Sequence, residues 1–220
     1  VEGSAVADGQ TVLWDGGLVL RARSVRAAHA ASLIVLRMES DGPQMLMGRR
    51  SARHRFLPNR LVFPGGRVEA ADLDAACATG ISVSTERVLR RKNNARLAHG
   101  LGAAAARELQ EETGLSLGEP PQLDGLRYLA RAVTPPGQPI RFNARFFVVA
   151  ADRVGGTLGG DGELEGLRFY GMAEALALEL AVPTRRVLER LTEWVGMTEA
   201  ERDAETVTPV LLRDGGWKLE

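Results

Sequence analysis

Cysteine is almost missing from this chain. One residue, Cys77, stands among 220, so no disulfide can form within the chain. No His or Cys lies near it at ligand spacing, which argues against a thiolate metal site and makes a reducing, cytoplasmic location the expectation. Histidine is also scarce: His29, His54 and His99 have no mutual spacing that suggests a ligand set. No apolar run approaches the roughly eighteen residues of a membrane span. Residues 1–30 lack the basic start and apolar stretch of a secretory signal, so no membrane partner is expected. Charge of one sign is missing too. Lys plus Arg and Asp plus Glu both number 28, which gives no basic excess for nucleic acid and leaves a nucleic-acid partner unexpected.

The composition is that of a globular domain, 45% hydrophobic and 25% charged, and residues 1–220 are long enough for one full core. Arg dominates the cations, and its planar fork suits phosphate and carboxylate. Apolar runs at Ala31–Leu36 and Met45–Met47, separated by the turn-rich 39–44, predict two strands. Leu61–Phe63 predicts a third, stopped by Pro64-Gly65-Gly66. A mixed segment follows, with a helix expected over Ser84–Leu97. Its basic residues read as a solvated face. The clearest helix is Ala103–Thr113, Ala-rich and closed by Gly114 as a C-terminal cap. Strands are expected over Leu126–Val133, Arg141–Ala150 and Leu167–Tyr170. Helices are expected over Met172–Leu178 and from Pro183 to about Trp194, where proline fits the first turn. This irregular interleaving predicts an α/β fold with a mixed sheet.

The Ala103–Thr113 helix carries Arg107-Glu108-Leu109-Gln110-Glu111-Glu112-Thr113-Gly114-Leu115. At about 100° per residue, Glu108, Glu111 and Glu112 share roughly a third of the circumference, while Ala106, Leu109 and Thr113 form another face. Crowded like charges destabilise a helix modestly. A hard divalent cation offsets that repulsion, because Mg²⁺ takes oxygen ligands shared among carboxylates, water and phosphate. The cluster is expected to be solvent-accessible.

These residues resemble the second half of the Nudix signature, G-x5-E-x7-R-E-U-x-E-E-x-G-U with U aliphatic, at every specified position. The first half is present as Gly66 and, after five residues, Asp72 in place of Glu. Between Asp72 and Arg107 lie 34 residues where the pattern has seven, so an insertion over about 73–102 is expected to bulge outward. The resemblance implies a Nudix-type α/β/α sandwich and a pyrophosphohydrolase using Mg²⁺ or Mn²⁺. Glu108, Glu111, Glu112, Asp72 and the carbonyl of Gly66 would hold the metal, and Arg107 would orient the carboxylates. The resemblance also implies a general base, either a carboxylate of the motif helix or one on a later loop, for which Glu163 and Glu165 are the candidates. A homodimer is allowed by the resemblance, and the helix and tail over about 183–220 complete the single domain.

Upstream, residues 46–66 resemble the element L-L-T-x-R-S-x3-R-x3-G-x3-F-P-G-G of Nudix coenzyme A diphosphatases. Arg50, Ser51, Arg55, Phe63, Gly65 and Gly66 fall in register, whereas Met47, Gly48 and Asn59 replace Leu, Thr and Gly. This implies coenzyme A or acyl-coenzyme A as substrate, cut to 4′-phosphopantetheine and adenosine 3′,5′-bisphosphate, with Arg50 and Arg55 toward the 3′-phosphate. Other nucleotides are the alternative: ADP-ribose, NADH, dinucleotide polyphosphates or oxidised dNTPs. A non-catalytic ligand sensor is the third reading, which only Asp72 favours.

Overall fold

A computed structural model describes residues 5–7, 10–12, 25–52, 58–212 and 215–220. Arg55 and His54 lie outside the described residues. The first two strands, β1 (Ala5–Ala7) and β2 (Gln10–Val12), pair antiparallel with each other. The apolar run at residues 31–36 is the centre of a longer strand, β3 (Ala28–Glu39). It forms a hairpin with β4 (Gly42–Arg50), pairing Leu36 with Met45 and Glu39 with Gly42. The polar ends left out of the expected strands belong to that ladder: Arg37 donates to Gln44 across it at 2.6 Å. The short β5 (Leu61–Val62) pairs with β4, and β6 (Gly65–Arg67) pairs with β3.

A 3-10 turn (Ala71–Asp74) leads to α1 (Val83–Leu89) and α2 (Ala95–Thr113). The expected helix at Ser84–Leu97 is therefore two helices. The Asn93 amide donates to the Leu89 carbonyl at 2.7 Å, ending the first. The Asn94 side chain accepts from the Leu97 amide at 2.8 Å, starting the second. Residues 95–102, expected inside the insertion, instead extend the signature helix by about two turns. The preceding segment does not bulge outward. Leu89 is buried, Thr85 donates to the Leu126 carbonyl at 2.8 Å, and the Ala78 amide donates to the Pro121 carbonyl at 2.8 Å.

Then come β7 (Leu115–Ser116), β8 (Arg127–Val133), β9 (Phe142–Ala150), β10 (Gly155–Gly156) and β11 (Leu164–Gly171). They are followed by α3 (Met172–Ala177), α4 (Val182–Val195), α5 (Glu199–Ala204), β12 (Pro209–Leu211) and β13 (Trp217–Leu219). The last three had no apolar periodicity long enough to announce them. A Thr198–Glu201 capping box starts α5. Among the described residues, nine strands form one sheet in the order β11-β4-β3-β9-β8-β12-β13, with β5 beside β4 and β6 beside β3. The β3–β9 and β8–β12 pairs are parallel and the others antiparallel, so the sheet is mixed.

Alternation along the central strands divides the core in two. Leu33, Val35, Phe147 and Val149 pack with Leu101, Ala105 and Leu109 of α2 on one face. Ile34, Phe146 and Val148 pack with Val187, Leu188, Leu191 and Trp194 of α4 on the other. The result is an α/β sandwich with helices on both faces. Among the described residues no helix is long and apolar enough to cross a membrane.

Each fully buried Leu contributes about 1.5–3 kcal/mol. Leu109→Ala is therefore expected to lower the unfolding free energy by about 2–5 kcal/mol in urea melts. Val83→Ser, at an exposed position, should change it by less than about 0.5 kcal/mol.

Candidate active site

The two halves of the signature, far apart in sequence, meet where the C-terminal half of α2 lies against the β5–β6 turn. Gly65 has φ 153°, and a side chain there would place Cβ 2.4 Å from the Ala31 carbonyl oxygen. This backbone turns the Gly65 amide toward α2, where it donates to Glu112 Oε2 at 2.7 Å. At Gly66 a Cβ would sit 2.2 Å from Glu108 Oε1, so only the absence of a side chain lets backbone and carboxylate come together. Gly114, left-handed at φ 71°, ends the helix. The loop before β11 then takes up its free carbonyls: the Gly159 amide donates to Thr113 at 2.8 Å and the Asp161 amide to Glu111 at 3.1 Å. That loop carries Glu163 to the site.

Arg107 is the hub. Its Nε and Nη2 donate to the two carboxylate oxygens of Asp72 at 3.0 and 3.1 Å, and Nη2 also donates to the Arg67 carbonyl at 2.9 Å. Nη1 donates to Glu108 Oε1 at 2.9 Å and Glu111 Oε2 at 2.8 Å. The hydrogen bond to Asp72, above all, holds the guanidinium pKa above its ordinary value. Asp72 is only 3% exposed and accepts from the Glu69 amide as well, at 2.7 Å. Its oxygens are thus engaged by Arg107 and by backbone.

Glu112 is 1% exposed, which corrects the expectation that all three helix carboxylates face solvent. The β5–β6 turn covers it. Its Oε1 is buried without a hydrogen-bond partner, and burial pushes its pKa up to about 8, against the opposing Gly65 amide and Arg50. Glu108 is mostly buried and its pKa is also raised, by burial first, although Arg107 opposes the shift. Glu111 is half-exposed.

Glu108 and Gly66 line a cleft of about 570 Å³ together with Arg50, Phe63, Gly65 and Glu163. Arg50 Nη1 lies 3.5 Å from Glu163 Oε1, and its Nε is buried without a hydrogen-bond partner. Phe63 meets Phe146 edge-on at 6.4 Å. Asn59, where the coenzyme A element has glycine, adopts φ 59°, a left-handed conformation that asparagine tolerates.

Among the described residues, six expected ones do not line the cleft: Asp72, Arg107, Glu111 and Glu112, which stand in the hydrogen-bond network beside it, and Glu165 and Ser51. Glu165 is exposed on β11 opposite Arg49, because the strand starts at Leu164 rather than Leu167. Ser51 does not line the cleft, but its amide donates to the Glu163 carbonyl at 3.2 Å and ties that loop to β4. Arg67 and Glu69 line the cleft without having been singled out, as do Phe142, Val182 and Leu212 from distant elements. No local motif marks the last three.

A family model described as the NUDIX domain matches residues 99–191. Over this stretch the chain is similar to the Nudix domain. The match contains Arg107–Leu115 but starts after Gly66 and Asp72, which lie on the far side of the 34-residue separation. A NUDIX hydrolase from Alicyclobacillus acidocaldarius is 25% identical, with 74% of this chain and 90% of that one covered and a TM-score of 0.58. The fold is also shared with the NUDIX domain of Shewanella oneidensis NrtR complexed with ADP ribose, 12% identical over 77% of this chain and 89% of that one, TM-score 0.51. It is shared too with a MutT protein from Methanosarcina mazei Go1, 18% identical over 79% and 100%, TM-score 0.51. No curated protein matches the chain. The match to the NUDIX domain model and the likeness to a Nudix hydrolase support a pyrophosphohydrolase.

The donor set suits a hard cation: carboxylate oxygens, one of them a buried Oε1 lacking a partner, crowded against a residue without a side chain. Among the described residues no three acidic, His or Cys side chains are already closed around one point. Glu111 is drawn to Arg107 and would have to swing over.

The raised Glu112 pKa fixes a sign. Between about 4.5 and about 8 the unfolded chain gives up this proton while the folded protein keeps it. Metal-free protein should therefore lose stability as pH rises through that window. Melting temperatures in a chelator are expected to fall more steeply from pH 5 to 8 for the natural chain than for Glu112→Gln. Mn²⁺ at pH 8 should restore the natural chain preferentially. Parallel pH curves for the two proteins would contradict this account.

Proposed function

We propose that the chain hydrolyses the pyrophosphate linkage of coenzyme A or acyl-coenzyme A in the presence of Mg²⁺ or Mn²⁺. The products would be 4′-phosphopantetheine, or its acyl form, and adenosine 3′,5′-bisphosphate. The observation that carries the reading is the buried, partnerless Oε1 of Glu112 near Glu108, the latter opening onto a cleft also lined by Arg50 and Glu163. The coenzyme A element at residues 46–66 supports the narrower choice of substrate.

Glu108, Glu111, Glu112 and the Gly66 carbonyl would hold the cation. When bound, it neutralises phosphate charge and lowers the pKa of a nearby water. Arg107 fixes Glu108, and Asp72 fixes Arg107, so these two are positioning residues. Glu163 lines the cleft and would accept the proton of the attacking water. As the water oxygen bonds to phosphorus, the bridging oxygen departs with its electron pair on the second phosphate. Arg50, with Arg55, would receive the 3′-phosphate by paired hydrogen bonds.

Assays with Mg²⁺ and Mn²⁺ on coenzyme A, acyl-coenzyme A, NADH, ADP-ribose, dinucleotide polyphosphates and oxidised dGTP test this reading. Product masses should reveal 4′-phosphopantetheine and adenosine 3′,5′-bisphosphate. Preference for ADP-ribose, the ligand of the Shewanella domain, would move the substrate while keeping the chemistry. Turnover of none would favour a non-catalytic sensor. Glu112→Gln is expected to lower kcat by about a hundredfold or more. Arg50→Ala should weaken coenzyme A more than 3′-dephospho-coenzyme A, and equal losses would remove the 3′-phosphate role.

A further inference from the structure

The cleft continues past the carboxylates, and its two parts differ in chemistry. Its charged lining residues, Arg50, Arg67, Glu69, Glu108 and Glu163, all come from the β4–β6 region, α2 and the loop before β11. The lining supplied by β8, β9, α4 and the β12 end carries no charge at all. Its polar side chains are Thr134 and Thr184, and Thr134 Oγ1 already accepts from the Phe142 amide at 3.0 Å. At the mouth stand Val182 and Leu212, two large apolar side chains left 61% and 42% exposed, next to the buried Leu211.

Two parts of the substrate could enter here. A nucleobase would press its amino and ring-nitrogen edges against walls that offer two hydroxyls, and each unmet polar group costs about 1–3 kcal/mol. A 3′-phosphate would find no cation among the residues these elements supply, Arg67 reaching the Phe142 ring at 5.5 Å from the other part. The phosphopantetheine arm has amides and a hydroxyl to satisfy as well, but past its phosphate it brings no charge, and its branched methyls and acyl carbons gain by covering apolar side chains that otherwise face water.

We infer that this compartment receives the non-nucleotide arm of the substrate, and that Val182, Leu211 and Leu212 select for its apolar character. The nucleotide and its 3′-phosphate then lie on the Arg50 side of the carboxylates. The inference rests on the coenzyme A reading and adds to it the direction in which the substrate lies and the residues that select the arm.

The test measures kcat/KM for coenzyme A and for octanoyl-coenzyme A with the natural chain, Leu212→Asp and Val182→Asp. Both positions are exposed, and Leu212→Ala serves where an aspartate variant fails to fold. The ratio of octanoyl to free coenzyme A should fall by about tenfold in the aspartate variants, as expected for losing burial of one Leu or Val side chain. Binding is read separately in metal-free protein. Octanoyl-4′-phosphopantetheine should raise the melting temperature of the natural chain and raise it less in the variants, while adenosine 3′,5′-bisphosphate shifts all of them alike. An unchanged ratio with turnover intact overturns the inference and leaves the hydrolase reading standing. Variants that abolish the adenosine 3′,5′-bisphosphate shift instead identify a nucleotide pocket and also overturn it. Absence of any turnover by the natural chain removes the coenzyme A reading, and absence of the phosphopantetheine shift removes this one.

Discussion

The site depends on one ion pair, Arg107 with Asp72. It clamps the turn after β6 to α2 across 34 intervening residues, alongside the hydrogen bond from the Gly65 amide to Glu112. The guanidinium serves four acceptors at once: the Asp72 carboxylate, the Arg67 carbonyl, Glu108 and Glu111. A lysine in this place would offer a single point charge and could not hold two carboxylates in fixed relative positions. The pair is partly buried, so breaking it by removing one partner would leave the other charge poorly solvated. The geometry is therefore held by necessity as well as by attraction.

Around that clamp the protein carries a deliberate electrostatic cost. Glu108 and Glu112 both sit where burial disfavours their charged forms, and Glu163 adds further negative charge nearby. Packing alone gives no reason for such crowding, since an apolar residue at 112 would fit a buried helix face without cost. A divalent cation converts the same crowding into affinity, because what destabilises the empty carboxylates is removed when charge of opposite sign arrives. The two glycines of the turn belong to the same arrangement. Gly65 presents its amide to one carboxylate and Gly66 yields its side-chain space to the other.

The sheet was legible because β3, β8 and β9 alternate or run apolar in a way only strands satisfy, and the signature helix because its informative residues are contiguous. Its first two turns were missed since Gly100 and Gly102 read as weak helix positions. Their actual role is packing: a Cβ on Gly100 would fall 2.7 Å from Leu73, and one on Gly102 3.0 Å from Ile81. The burial of Glu112 was missed for a related reason. A helical projection tells which residues share a face, but not what else in the chain comes to cover it. The apolar half of the cleft was invisible because its walls are gathered from β8, β9, α4 and β12, each of which looks like ordinary core on its own.

The departures from the family pattern bear on whether catalysis persists. Asp72 is one carbon shorter than the usual Glu, yet the long Arg107 side chain reaches both of its oxygens. Asn59 stands where the coenzyme A element has glycine, and it takes the left-handed backbone that such a position asks for. The intervening segment is longer, yet it is fastened to Pro121 and Leu126 and leaves the Arg107 contacts in place. Each change is absorbed within reach of the same geometry. A chain that had given up chemistry for binding would be under no pressure to keep Glu112 buried at an electrostatic cost, so its retention weighs against a purely sensing role.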